Sequence, residues 1–508
     1  CGHRQCFVYG LLLSIHHKYY QICVLKSRGL ACGCVGLCFL ILKGNIKMEN
    51  KEQNLTVGSV PQKLLRFAFP LFGANLLQSL YSIIDMLVVG RIVGKNGLAA
   101  ISNASMIGFI INSICIGVTM GGTVLAAQYK GAEDEQGQKE TIGTLFSLSF
   151  LAAILVTAAG LLLYAPLFSL LHVPAEAMKD ACSYIEIICM GTIFVFGYNA
   201  VCSLMKGLGD SKSPLFFVAA AALVNIILDL LLVGPLGMGT KGAAYATIFS
   251  QGVSLIISVV HLKRKRFLFD FKRKSFVIRK DKLLIILKVG LPTAVQMAVV
   301  NISYLIITGM LNTFGVSVAA ASGIGLKINT FAGMPCWAVG QAVTTMVGQN
   351  MGAQNIERVK KTTQIGLLIN VCVTVIAVVL VQIFSENLIL LFDPAGTEVI
   401  REGVMYLRIC CSVNSLVYAV MYTFDSFAIG AGAANIAMCN ALLDAVVVRL
   451  PVCWLLAFPL QIGFTGIYIG QAISPVLPAI AGLVYFAGKK WYSNKLISNN
   501  PRSSYSLK

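Results

Sequence analysis

The sequence predicts an all-α polytopic membrane protein, with twelve transmembrane helices in two six-helix bundles related by a pseudo-two-fold axis along the membrane normal. Three observations predict it. Of 508 residues, 57% are hydrophobic and 12% charged, with a mean hydropathy of +0.79, whereas a water-soluble domain carries about a quarter charged residues. Apolar runs near the ~20 residues that cross a bilayer recur between short polar loops. The second half of the chain also repeats landmarks of the first. Together these exclude a disordered, collagenous or disulfide-scaffold chain and an ordinary soluble enzyme. The absence of alternating ~10-residue segments excludes an outer-membrane barrel. A formal charge of +19 would suggest nucleic acid in a soluble protein. Here Lys and Arg gather in loops, as they do on the cytoplasmic side of membrane proteins, and no nucleic-acid partner is expected.

Residues 1–47 differ from the rest. They hold six of the 16 cysteines, three of the five histidines and no acid, and match no standard zinc spacing. The segment is expected to be non-native upstream translation, with synthesis starting at Met48. The other cysteines are scattered through apolar runs and read as small buried hydrophobes.

Apolar runs then place spans near 64–90, 100–127, 141–164, 181–205, 214–234 and 240–262, followed by 284–312, 320–347, 361–384, 402–427, 432–457 and 464–488. Ten Lys and Arg lie between Lys263 and Lys282, while the opposite side receives Arg91, Lys95, Lys179, Lys241 and Arg401. Both termini are therefore expected in the cytoplasm. The organisation reads as an N-terminal lobe (48–262), a basic linker (263–283), a C-terminal lobe (284–488) and a cytoplasmic tail (489–508). The lobes look like copies. Residues 127–132 (AQYKGA) face 348–353 (GQNMGA), Tyr184 faces Tyr406, Pro70 faces Pro292, and Asn225-x-x-x-Asp229 faces Asn440-x-x-x-Asp444. An even number of spans per copy gives both lobes one orientation, as in many secondary transporters.

An ionisable group at the centre of a span costs about 2.5–3.5 kcal/mol on insertion scales, so each is a functional candidate. At ~100° per residue, Asn75, Gln78, Ser82 and Asp85 line one face of the first helix. Asn225 and Asp229, four apart, share a face of the fifth, and the sixth offers Thr247. Asp85 and Asp229 each sit about five residues from the outer end of their span and Thr247 about seven, a depth of roughly 8–10 Å. For one acid alone, independent hydration below the headgroups is the plainer reading. Two acids with Asn and Thr at matched depth favour a site for a proton or a sodium ion held by Asp85, Asn225, Asp229 and Thr247. Asn75, Gln78, Tyr81 and Ser82 are candidates for a substrate cleft. Asp444 and Arg449 read as a structural pair and Glu186 as interfacial, while Asp425 has no partner evident in the sequence. Neither a Walker A motif nor a catalytic constellation is present, and no enzyme activity or cofactor is expected.

These residues resemble the multidrug and toxic compound extrusion (MATE) family. Pro70 with Asp85, Gly90 and Gly94 resembles its entry motif. Residues 205–214 (MKGLGDSKSP) resemble the segment before its fifth helix, and 242–247 (GAAYAT) the start of its sixth. The resemblance runs from about Leu64 to Gly488. It implies export of organic cations and drugs across a bacterial plasma membrane in exchange for protons or sodium ions, by a monomer in contact with membrane lipid. In the DinF-like branch the ion site falls on Asp85, Asn225, Asp229 and Thr247. Val300 and Tyr418 stand where the NorM branch carries acids, so the resemblance points to the DinF or MepA side and to protons before sodium. A lipid-linked sugar flippase of the same superfamily and a non-transporting receptor or scaffold are the alternatives. The flippase should favour basic groups in its cleft, and the scaffold has no need of paired acids.

Overall fold

The computed structural model describes residues 54–170, 175–264, 268–392, 397–493 and 496–497. The expected upstream segment 1–47, Met48 and the end of the tail lie outside the described residues. The N-terminal lobe comprises α1 (Val60–Ile92), α2 (Lys95–Gly131), α3 (Glu135–Leu170), α4 (Ala175–Met190), α5 (Thr192–Gly207), α6 (Lys212–Leu232) and α7 (Gly239–Arg264). The C-terminal lobe comprises α8 (Lys280–Asn312), α9 (Val316–Gly352), α10 (Ile356–Ile383), α11 (Ser385–Leu390), α12 (Thr397–Cys410), α13 (Val413–Gly430), α14 (Ala434–Leu442), α15 (Leu450–Ala457), α16 (Phe464–Ile473) and α17 (Val476–Ala487).

Among the described residues, nine helical segments are long and apolar enough to cross a membrane, and two bent pairs add one span each. The 37-residue α9 falls short in hydropathy because it buries Ser322, Thr344, Thr345, Gln349 and Asn350 against other helices. It is the twelfth span. Leu151, Leu155, Leu162, Ile376 and Val484 are among the apolar side chains left outward, as lipid contact requires.

The fourth and tenth spans are not the straight helices expected from the apolar runs. α4 meets α5 at 49° and α12 meets α13 at 46°. A bend frees backbone carbonyls that lipid cannot satisfy, so a neighbouring helix must. Thr157 donates to the Cys189 carbonyl (2.9 Å), and Gln382 donates to the carbonyls of Leu407 (2.9 Å) and Cys411 (2.7 Å). The same device serves both lobes.

The lobes meet through α2 on α8 and α9, and through α1 on α9. The contacts lie at the end where the basic residues gather. A Cβ at Gly121 would stand 2.2 Å from the Ile286 carbonyl oxygen and one at Gly117 2.7 Å from that of Gly290, so glycine lets α2 and α8 touch backbone to backbone. Val60, Leu64, Phe67 and Leu71 of α1 pack on Val339, Val343, Met346 and Val347 of α9, beneath the buried Trp491. The repeated motifs close this end reciprocally. Gln349 donates to the Gly207 carbonyl (3.0 Å) and Gln128 to that of Gly430 (3.5 Å). Gly131 faces the Gln349 carbonyl and Gly352 that of Gln128, each too close for a Cβ. At the opposite end each apolar cluster draws on one lobe, around Leu77 and Ile226 in the first and around Ile307 and Tyr406 in the second. The lobes are thus joined at the basic end.

Candidate functional site

Three helices of the N-terminal lobe converge in the half opposite the basic end. α1 packs on α6, and α6 on α7. Asp229 and Asn225 are fully buried, one helical turn apart on α6, and Asp85 faces them from α1. The carboxyl groups of Asp85 and Asp229 stand close enough to hydrogen-bond once one carries a proton. Without it, Asp85 Oδ1 and both oxygens of Asp229 have no donor among the described residues, and neither does either polar atom of Asn225 find a partner. Buried polar groups are paired almost everywhere in proteins. A cluster left without partners on two carboxylates and an amide therefore fits a proton or a small hard cation.

The depths differ from those read off the sequence. α1 extends to Ile92 and α6 stops at Leu232, so Asp85 lies seven residues from its helix end and Asp229 three. The helices end at different heights, and their carboxyl groups meet all the same. Thr247 stands on α7, the helix packed against α6. Its hydroxyl donates to the Ala243 carbonyl (3.0 Å), on a helix that packs against both α6 and α4. Tyr184 and Tyr81 both lie within electrostatic reach of the two acids. Tyr184 is a member that sequence reasoning noted only as a repeat landmark. Gln78 and Ser82 are exposed one to two turns along α1, and the half-buried Asn75 has an unpartnered Nδ2. Those three and Tyr81 form a polar face leading to the acids. Glu186 is half-buried and accepts the Tyr164 hydroxyl, so it stands apart from the site with its own donor.

The C-terminal lobe does not repeat this arrangement, and one sequence pairing is corrected. The turns after α5 and α13 match at a shift of 223, with Gly209 (φ 92°) and Gly432 (φ 84°) in the same left-handed conformation. The turns after α6 and α15 match at 224: Met238 N–H donates to the Leu232 carbonyl as Ile462 does to Leu456, both at 3.0 Å. The additional residue is absorbed by a π-helical segment, Leu443–Arg449. Asn225 and Asp229 therefore correspond to Arg449 and Cys453. Asn440 and Asp444 fall about two turns nearer the basic end, and their identical spacing does not mark an equivalent position. Asp85 corresponds to Ile307, Thr247 to Gln471 and Tyr184 to Tyr406. Ile307, Tyr406 and Gln471 do line one small cavity of about 30 Å³.

The π-helical turn brings residues five apart onto one face, so Arg449 pairs with Asp444. Its guanidinium also donates to Ser303 (3.1 Å) and Ser474 (3.2 Å) and lies 4.7 Å from the centre of the Tyr304 ring. Asp425, partnerless in the sequence, accepts the Asn440 amide at 2.7 Å. Half-buried Tyr418 and Tyr422 stack at 5.9 Å, and Trp337 donates to the Tyr418 hydroxyl (3.2 Å). Among the described residues, Asp229 of the first lobe is the acid with both buried carboxyl oxygens unpartnered, and the second lobe holds a fixed cation with aromatic neighbours.

The profile of the MatE family matches residues 70–231 and 292–455, one copy per lobe, each beginning at one of the paired prolines. The probable multidrug resistance protein YpnP of Bacillus subtilis is 29% identical over 455 residues, covering 88% of this chain and 99% of that one. The probable multidrug resistance protein NorM of Thermotoga maritima is 26% identical, over 87% of this chain and 95% of its own. Among solved structures, the outward-facing conformation of a multidrug resistance MATE family transporter superposes with a TM-score of 0.82 at 21% identity, covering 87% of this chain and 98% of that one. With two copies of its profile spanning most of the described chain, the protein belongs to the MatE family of multi-pass membrane transporters.

Proposed function

We propose that the protein exports organic cations across a bacterial plasma membrane in exchange for protons or sodium ions, with the basic end in the cytoplasm. The observation that carries this reading is the pairing of fully buried Asp229, neither oxygen of which has a donor, with half-buried Asp85, whose Oδ1 has none, beside the unpartnered Asn225. Two carboxylates forced together in a low dielectric cannot both stay ionised without a cation between them, so the pair takes up a proton or sodium whenever it faces the side rich in that ion. The polar face of Asn75, Gln78, Tyr81 and Ser82 offers an adjoining surface on which a lipophilic cation competes for the same negative charge. Ion occupancy then favours one arrangement of the lobes and cargo the other, which is what exchange requires. The order of choice is protons, then sodium, because one shared proton satisfies the pair with no further ligand.

Acids rather than bases in this lobe argue against a pyrophosphate-carrying lipid as cargo, and a scaffold would have no need of the pair. The test is efflux of a fluorescent organic cation from cells, comparing wild type with Asp229→Asn at matched membrane expression while the proton and sodium gradients are collapsed in turn. Export by wild type, its loss on collapse of one gradient and a loss of more than tenfold in the variant are expected. Equal export by both proteins would reject the site, and no export by either would favour the flippase.

A further inference from the structure

The connection between the lobes carries more than positive charge. Residues 268–279 form a strap folded onto the side of α3, and its shape is held by specific contacts. A Cβ at Gly143 would stand 2.2 Å from the Ser275 carbonyl oxygen, so only glycine lets the strap lie this close. Thr144 donates to the Val277 carbonyl (3.3 Å) and accepts the Arg279 N–H (3.1 Å). Asp270 accepts the Ser275 hydroxyl (2.6 Å) and the Lys272 N–H (3.2 Å). Phe269 is buried edge-on against Phe271 (5.3 Å) and Phe276 (5.2 Å), with Phe146 of α3 beside them.

Held this way, the strap turns a defined face outward. Lys272, Arg273 and Lys274 are exposed, followed by the exposed apolar triplet Phe276, Val277 and Ile278 (each at least 40% exposed), then the exposed Arg279 and Lys280. Lys282 takes no part, since it is buried against Tyr129, Glu140 and Asp281. The attachment at Gly143 lies eight residues into α3 from Glu135, roughly 12 Å along its axis. Glu140 is the last charged residue of α3, so Gly143 stands where its polar first turns give way to the apolar run. General enrichment of basic residues in cytoplasmic loops accounts for the charge, but requires neither a fixed backbone nor three apolar side chains exposed between two sets of cations.

We infer that the outward face of residues 272–280 is a binding site for an anionic phospholipid of the membrane leaflet at the basic end. The five cations meet the headgroup phosphate, and Phe276, Val277 and Ile278 meet the first segment of the acyl chains. The strap is fixed to α3 of one lobe and leads directly into α8 of the other, so a bound lipid sits where the lobes are joined.

The test uses the full chain in neutral detergent, incubated with phosphatidylglycerol or phosphatidylcholine and read by native mass spectrometry. Wild type is expected to retain phosphatidylglycerol at least about tenfold over phosphatidylcholine at low salt, an excess that high salt removes. K272Q/R273Q/K274Q/R279Q/K280Q is expected to lose the excess with an unchanged melting temperature, because these side chains are exposed. K489Q/K490Q, which neutralises exposed cations elsewhere at the same end, is expected to keep it. Equal retention of the two lipids by wild type, an undiminished excess in the five-residue variant, or the same loss in K489Q/K490Q overturns the inference. Displacement by inorganic phosphate alone overturns it as well, by assigning the cations to a free oxyanion. Transport does not enter the assay, so its result is independent of the coupling site.

Discussion

A carboxylate buried in a span needs a donor, a cation or a proton, and the residues of the two lobes meet that need differently. Asp444 has Arg449 within the same helix, held further by Ser303 and Ser474, while both oxygens of Asp229 lack a donor beside Asp85 and Asn225. Arg449→Gln leaves Asp444 buried without its partner, which costs about 3–5 kcal/mol. This is expected as a lowered unfolding temperature in detergent that adding Asp444→Asn largely restores. A double variant as unstable as the single one would contradict the pairing. Tyr184→Phe removes a hydroxyl dipole within electrostatic reach of both acids, worth about 1 kcal/mol, so the ion concentration giving half-maximal export should rise roughly fivefold. An unchanged ion dependence would exclude Tyr184 from the site. Asp85, Asn225, Asp229 and Thr247 were legible as candidates because costly polar residues at helical spacing stand out in apolar runs. Tyr184 was not, since a tyrosine beside the polar stripe of α4 (Glu176, Asp180, Ser183) reads no differently from one that packs in the core.

At the scale of elements, hydropathy reveals that a span exists and little about how it breaks. The bends in the fourth and tenth spans depend on Thr157 and Gln382 reaching across from α3 and α10, contacts that no local pattern encodes. The π-helical segment Leu443–Arg449 adds one residue to the eleventh span, and that addition is why matching Asn-x-x-x-Asp motifs misled the alignment of the lobes. The glycines of the repeated motifs were legible as a repeat and acquire their reason only when the lobes touch. A Cβ at Gly131 would lie 1.7 Å from the Gln349 carbonyl oxygen, so Gly131→Val should wedge the basic end apart. A cysteine introduced by Val347→Cys, at a position buried between the lobes, is expected to react faster with a water-soluble maleimide in the Gly131→Val background. An unchanged rate would mean that this contact does not close the basic end.

For the whole molecule, the two lobes share a fold and divide the chemistry. The first carries Asp229 with neither carboxyl oxygen partnered, the second an ion pair between Arg449 and Asp444 with aromatic rings, and the shared surface lies at the basic end. Fold class and the internal repeat followed from composition and spacing, because a bilayer admits so few backbone solutions. The division of labour needed the structure, because it rests on which residues occupy equivalent places. The measurement that bears most directly on it is ion release on binding of an organic cation by purified protein in detergent, with protons followed by a pH-sensitive dye and sodium by isotope. Wild type should release one kind of ion as the cation binds, and Asp229→Asn should release none. Binding without release by wild type, or undiminished release by Asp229→Asn, would contradict a coupling site at Asp85 and Asp229.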